Sequence, residues 1–129
     1  MIRVKVVLVA VAIAIAGPSY AQDRPLTDIE KKVVAGTYGE RLKDQLSAQF
    51  RWHNLIESSS AKSDELIYCF QVNAKNSYGA YVGFKTIFGT VTQRNGTIVG
   101  YRYILGAESN PIMNDTATEF CDVAGYKFQ

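Results

Sequence analysis

Hydrophobic positions along the chain change period twice, and those changes mark out its elements. Leu26, Ile29 and Val33 share one helical face, and Tyr38, Leu42 and Leu46 follow at spacings of four. Thr27 and Glu30 stand in capping-box register, with Asp28 and Glu30 in the first turn, where the helix dipole favours acids. The two apolar sets drift out of phase around Gly36 and Gly39, so the pattern predicts either one bent helix over 27–46 or two short ones. From Phe50 the period shortens towards two, which predicts a strand over 50–56 with one buried face. Residues 58–64 are a polar loop. Residues 66–72 (LIYCFQV) are nearly all apolar and predict a central strand over 65–73.

Residues 73–79 form a turn-rich connection, and 80–93 are rich in Val, Ile, Phe and Thr, with Gly83 and Gly89 as bulge or bend positions. Asn95-Gly96 is a two-residue hairpin signal, and 97–105 is the return strand. Ile112, Ala117, Phe120, Cys121 and Ala124 can share a face of a short C-terminal helix. Either Asn114 caps it, or Asn110 does so with Pro111 at the first helical position. The sum is an α+β fold: an N-terminal helix, an antiparallel sheet of about four strands, and a C-terminal helix.

The first 21 residues follow a different logic. Arg3 and Lys5 precede an unbroken apolar run over 6–16, Gly17-Pro18 ends it, and Ser19 and Ala21 place small residues before a cut ahead of Gln22. Eleven apolar residues span only about 16 Å as a helix, about half a bilayer core, so a secretory signal is expected rather than an anchor. The expected product is one α+β domain over 22–129, periplasmic or secreted, without an integral membrane span. Two of the 14 basic residues leave with the leader, and the remaining twelve face twelve acids. That neutral balance argues against a nucleic-acid partner, whose phosphates call for a surplus of Lys and Arg.

Cys69 and Cys121 are the only cysteines. An even pair in an exported domain reads as one disulfide, which by loop-closure entropy would stabilise the fold by roughly 4 kcal/mol. Two buried thiols or a redox pair are the alternatives, although nothing has the C-x-x-C spacing.

Candidate chemistry is sparse. His53 is the sole histidine, with no nucleophile motif around any serine and no metal-ligand spacing, so no cofactor and no metal are expected. Strand alternation would put Arg51, His53 and Glu57 on one face, a geometry that a small hydrolase or nuclease could use. Asp115, Glu119 and Asp122 read as the solvated face of the last helix. The segment over 72–83 (VNAKNSYGAYVG) gathers amides, a lysine and two tyrosines on a turn. Asn73, Lys75, Asn76, Tyr78 and Tyr81 are therefore the candidate binding residues, because Tyr offers stiff contact area and Asn adaptable hydrogen bonds. Turn chemistry alone also accounts for Asn and Gly there.

Two stretches carry a resemblance. Leu42-Lys43-Asp44, Ser47-Ala48-Gln49-Phe50-Arg51 and the 72–83 segment after a cysteine strand resemble a group of small exported proteobacterial envelope proteins. Their pattern is L-K-D-P-x-S-A-x-F-R, then C-G-x-V-N-A-K-N-S-Y-G-G-Y-x-G-F. Gln45 stands where that group has Pro, which would let the first helix run further, and Phe70 replaces the Gly after the cysteine. The resemblance implies export and a bacterial source and supplies no catalytic residues. The reading it favours is a non-enzymatic binding or accessory protein of the envelope, with another envelope or secreted protein as partner. The alternatives are an inhibitor of a hydrolase such as lysozyme, and a small secreted hydrolase or nuclease using His53.

Overall fold

The computed structural model describes residues 10–12, 22–57 and 64–128. The leader expected over residues 1–21, apart from 10–12, and the polar stretch 58–63 lie outside the described residues. The elements run β1 (Gln22–Arg24), α1 (Asp28–Gly39), β2 (Gln49–Arg51), β3 (Leu55–Glu57), β4 (Glu65–Asn73), β5 (Lys85–Arg94), β6 (Thr97–Gly106) and α2 (Pro111–Val123). β2, β4, β5 and β6 form an antiparallel sheet in that order, and β1 and β3 pair in a separate antiparallel ribbon. No helix among the described residues is long and apolar enough to cross a membrane.

Alternation along β4 builds a layer on each face of the sheet. Tyr68, Phe70 and Val72 join the buried cluster with Val34 and Tyr38 of α1. The Tyr38 ring meets Phe70 edge-on, 5.4 Å between centroids. On the opposite face Cys69 is bonded to Cys121 of α2, with Cα atoms 6.0 Å apart, and Phe88 meets Phe120 at 5.5 Å. The disulfide and the α+β architecture are as the sequence indicates.

Several boundaries move, each for a physical reason. Thr27 caps α1 in a complete capping box, yet the helix ends at Gly39 rather than 46. The Gln45 side chain packs 3.2 Å from where a Cβ on Gly39 would sit, so Gln45 folds back over the helix end instead of prolonging it. Leu46, expected on the helical face, is fully exposed. The strand expected over 50–56 splits between β2 and β3, which belong to different sheets. Phe50 and Trp52 stack in the aromatic layer, but the next buried residue is Leu55, one position out of phase. The His53 carbonyl at that slip accepts from the Tyr68 hydroxyl at 2.7 Å instead of from a neighbouring strand.

β5 begins at Lys85 rather than 80, because Gly83 has φ +94° and its N–H turns to Asn73. Asn95 and Gly96 both have positive φ, as a two-residue hairpin between right-twisted strands requires. Asn110, not Asn114, caps α2, and of the expected apolar face only Ala117 and Cys121 are buried.

β1 has no signal of its own in the sequence and is held by a charge network. Glu30 is 1% exposed, and its two oxygens each lie 2.8 Å from a terminal nitrogen of Arg24. It also accepts from the backbone N–H groups of Thr27 and Ile98 at 2.9 and 2.7 Å. Arg24 reaches on to Glu57, Gln93 and the Gly96 carbonyl, so one guanidinium joins ribbon, helix and hairpin. Its hydrogen bonds, helped by the Thr27 and Ile98 amides, hold the Glu30 carboxyl at about 2 against burial, which pushes it up.

A folded-state value below the unfolded one stabilises above the unfolded pKa, and that stabilisation is lost as pH falls from about 4.5 towards 2. At about 1.4 kcal/mol per unit this is on the order of 3 kcal/mol at neutral pH. Urea unfolding should show wild-type stability falling across that acid window. Glu30→Gln should be about 3 kcal/mol less stable at pH 7 and flatter below pH 5. An equally steep acid limb in the variant would locate the sensitivity elsewhere.

Candidate functional site

Asn76 closes the turn between β4 and β5. Its Oδ1 accepts from the N–H groups of Tyr78 and Ala80 at 2.9 and 3.1 Å, an Asx-type arrangement. Its own backbone exchanges bonds with Ala80 and Gly79, and Gly79 takes the positive φ that the bend needs. Asn73 spans the base of the same loop: Oδ1 accepts from Gly83 at 3.0 Å, and Nδ2 donates to Gln49 Oε1 at 3.3 Å. Lys75 and Tyr81 face each other in an isolated bridge, with the ammonium 5.4 Å from the ring centroid. Of the five candidate residues, Asn73 and Asn76 thus shape the loop, while Tyr78 at 94% and Tyr81 at 43% exposure present surface.

The tertiary structure adds a second segment to this loop. The Tyr81 hydroxyl donates to the Ser47 carbonyl at 2.7 Å, and the Lys43 ammonium donates to the Ser77 hydroxyl. The Asp44 side chain accepts from the Ser47 N–H at 3.3 Å, fixing the turn that receives Tyr81. Hydrogen bonding to Ser47 is the first cause holding the Asp44 carboxyl low, and the Lys75 charge adds to it. Residues 43–47 and 75–82, some thirty positions apart, therefore make one face, on which Leu46, Tyr78, Tyr81 and Val82 are exposed. Exposed large apolar groups are ordinary singly. Four on one pair of interlocked loops are not.

Behind that face lies a cleft of about 200 Å³, floored by Tyr38, Leu42 and Val72 and reached by Arg41, Lys75 and Lys85. Burial pushes the Tyr38 hydroxyl up to about 12, so it stays protonated. The Arg41 guanidinium lies 3.6 Å over the Tyr103 ring. Tyr103 is itself fixed, because its hydroxyl bonds to the Gly106 carbonyl at 2.8 Å and to Glu108 at 2.9 Å. Sequence reasoning passed over Arg41, Lys43, Leu46, Val82 and Lys85. They fall in two stretches, 41–46 and 82–85, and no local pattern joins one to the other.

His53 sits elsewhere, on the connection between β2 and β3. Its Nδ1 lies 2.8 Å from the Asn54 carbonyl, which can only accept, so Nδ1 carries a proton. The ring packs edge-on against Tyr126 and Phe128. The alignment of Arg51, His53 and Glu57 expected from alternation does not form: Arg51 stacks 3.7 Å over Phe84, and Glu57 pairs with Arg24 at 2.9 Å. Asp115, Glu119 and Asp122 are exposed along α2, and among the described residues no group of three His, Cys, Asp or Glu could hold a metal ion. Comparison with protein-family models, with curated proteins and with solved structures finds no match to this chain.

Proposed function

We propose that this chain is a non-enzymatic binding or accessory protein of the bacterial envelope, periplasmic or secreted. Its recognition face is the pair of loops carrying Leu46, Lys75, Tyr78 and Tyr81. One observation supports this above others: the loops are interlocked by side-chain bonds, so their apolar side chains are displayed from a preorganised frame. Preorganisation reduces the ordering cost of association, which otherwise consumes much of the contact energy. The two stretches that carry the family resemblance are the same two that interlock, and the leader supports export. The partner is another envelope or secreted protein. Inhibition of a hydrolase is a special case of this reading, with the 77–83 loop as the inserted element.

The experiment is quantitative recovery of partners from envelope and secreted fractions by wild type, by Lys75→Ala/Tyr78→Ala and by His53→Ala. Loss of an exposed tyrosine anchor should reduce recovery of a specific partner about tenfold or more, and His53→Ala should leave it unchanged. Equal recovery by all three proteins overturns the assignment of the face. Hydrolytic activity that disappears with His53→Ala would replace the binding reading by the enzymatic one.

A further inference from the structure

The cleft behind the recognition face has a charge pattern that the face itself does not need. Arg41, Lys75 and Lys85 enter one space of about 200 Å³, and no Asp or Glu lines it. None of the three takes part in an ion pair among the described residues. The acids of this neighbourhood stand outside the cleft lining: Asp44, on which the Lys75 charge acts, accepts from Ser47, and Glu108 accepts from the Tyr103 hydroxyl. Arg41 is held in place, since its guanidinium is stacked on a ring that two hydrogen bonds fix. Stacking occupies the face of a guanidinium, and its edge carries several N–H groups that can bind an oxyanion. Three basic side chains around a cleft that no carboxylate lines repel one another, and an anion between them relieves that repulsion.

We propose that this cleft receives the carboxylate side chains of an acidic segment of the partner protein, while the neighbouring apolar residues of that segment lie on Val82, Tyr81 and Tyr78. The proposal rests on the binding reading above and names the chemistry of the partner. The volume suits it: about 200 Å³ exceeds one carboxylate but falls below the roughly 300–1,000 Å³ typical of small-molecule sites. Continuity with the apolar rim favours a polypeptide over a free anion, which would leave the tyrosines and Leu46 without a role. The concave shape, with Tyr38, Leu42 and Val72 at its floor, favours an inserted side chain over a flat lipid surface.

The test is an NMR titration of the protein with acetyl-Leu-Glu-Glu-amide, with its Gln-Gln analogue, with inorganic phosphate, and with vesicles of phosphatidylglycerol in phosphatidylcholine. The expected result is saturable shifts at the amides of Leu42, Ala74, Lys75 and Ala107 with the Glu peptide. The Gln analogue should bind about tenfold or more weakly, and high salt should weaken the Glu peptide. Lys85→Gln, which leaves the apolar rim intact, should weaken the peptide about fivefold. Lys85→Gln with unchanged peptide binding overturns the cleft assignment while leaving the recognition face standing. Tyr78→Ala with unchanged partner recovery sinks the face instead. Phosphate saturating the same amides as tightly as the peptide would make this a small-anion site. A response to vesicles alone would make it a lipid surface. Either overturns the proposal, as does a Glu peptide that shifts nothing in the cleft.

Discussion

Phe70→Ala should destabilise the protein by about 4 kcal/mol, within the range measured for deleting a buried aromatic ring. Phe70 is fully buried, and five rings surround it: Tyr38 at 5.4 Å, Phe50 at 5.9 Å, Trp52 at 5.6 Å, Tyr68 at 6.2 Å and Tyr101 at 5.7 Å. These come from α1, β2, β4, β6 and the stretch after β2, so the cavity would open where several elements meet and no single one could close it. For a domain of this size the loss corresponds to a melting temperature lower by roughly 15–30 °C. The measurement is urea unfolding followed through Trp52, the only tryptophan, which stacks 5.1 Å from Phe50. Phe120→Ala is the control: Phe120 is 48% exposed and among the described residues has one ring contact, with Phe88, so its loss should cost about 1 kcal/mol. Similar costs at the two positions would mean that the aromatic layer does not act as a unit.

Removing the disulfide should have an effect of the same order but a different distribution. Cys69 and Cys121 are 52 positions apart, and closing such a loop restricts the unfolded chain by about 4 kcal/mol in the entropic account. In the folded state the bond matters most to α2. That helix buries only Ala117 and Cys121, while Ile112 and Val123 are 72% and 83% exposed. The chain after it is pinned by the Tyr126 hydroxyl, which accepts from Ile56 N–H at 3.1 Å and donates to the Ile67 carbonyl at 2.7 Å. Cys69→Ala/Cys121→Ala should therefore lower the unfolding midpoint strongly. Hydrogen exchange should show α2 losing protection well before the paired amides of β4 and β5. Uniform loss across helix and sheet would make the disulfide a global clamp only. Unchanged stability would deny it a structural role.

Much of this architecture was legible locally. The capping box at Thr27, the Asn95-Gly96 hairpin, the 65–73 strand and the cysteine pair each depend on dihedral preference, short-range periodicity or redox context. The boundaries that moved depend on distant groups. A run of Leu spacings could not show that Gln45 folds over Gly39, and β1 is three residues long, too short to carry a period. The phase slip between Trp52 and Leu55 was present in the sequence. Its meaning came from Tyr68, which takes the His53 carbonyl out of the sheet.

The same division runs through the candidate site. Residues 72–83 announced a turn carrying two tyrosines, because Asn and Gly chemistry is local, and the structure puts Asn73 and Asn76 to that use. Nothing local could join Lys43 to Ser77, Ser47 to Tyr81, or Arg41 and Lys85 to Lys75. The zero charge balance of residues 22–129 pointed away from a phosphate-binding surface, yet it is compatible with three basic side chains lining one cleft that no carboxylate lines. Composition counts charges, and electrostatic fields depend on where they lie. Sequence alone determined the class of fold, the staple and the turn. Only folding decided which distant residues share a surface, because proximity across the sheet is set by packing and pairing rather than by chain order.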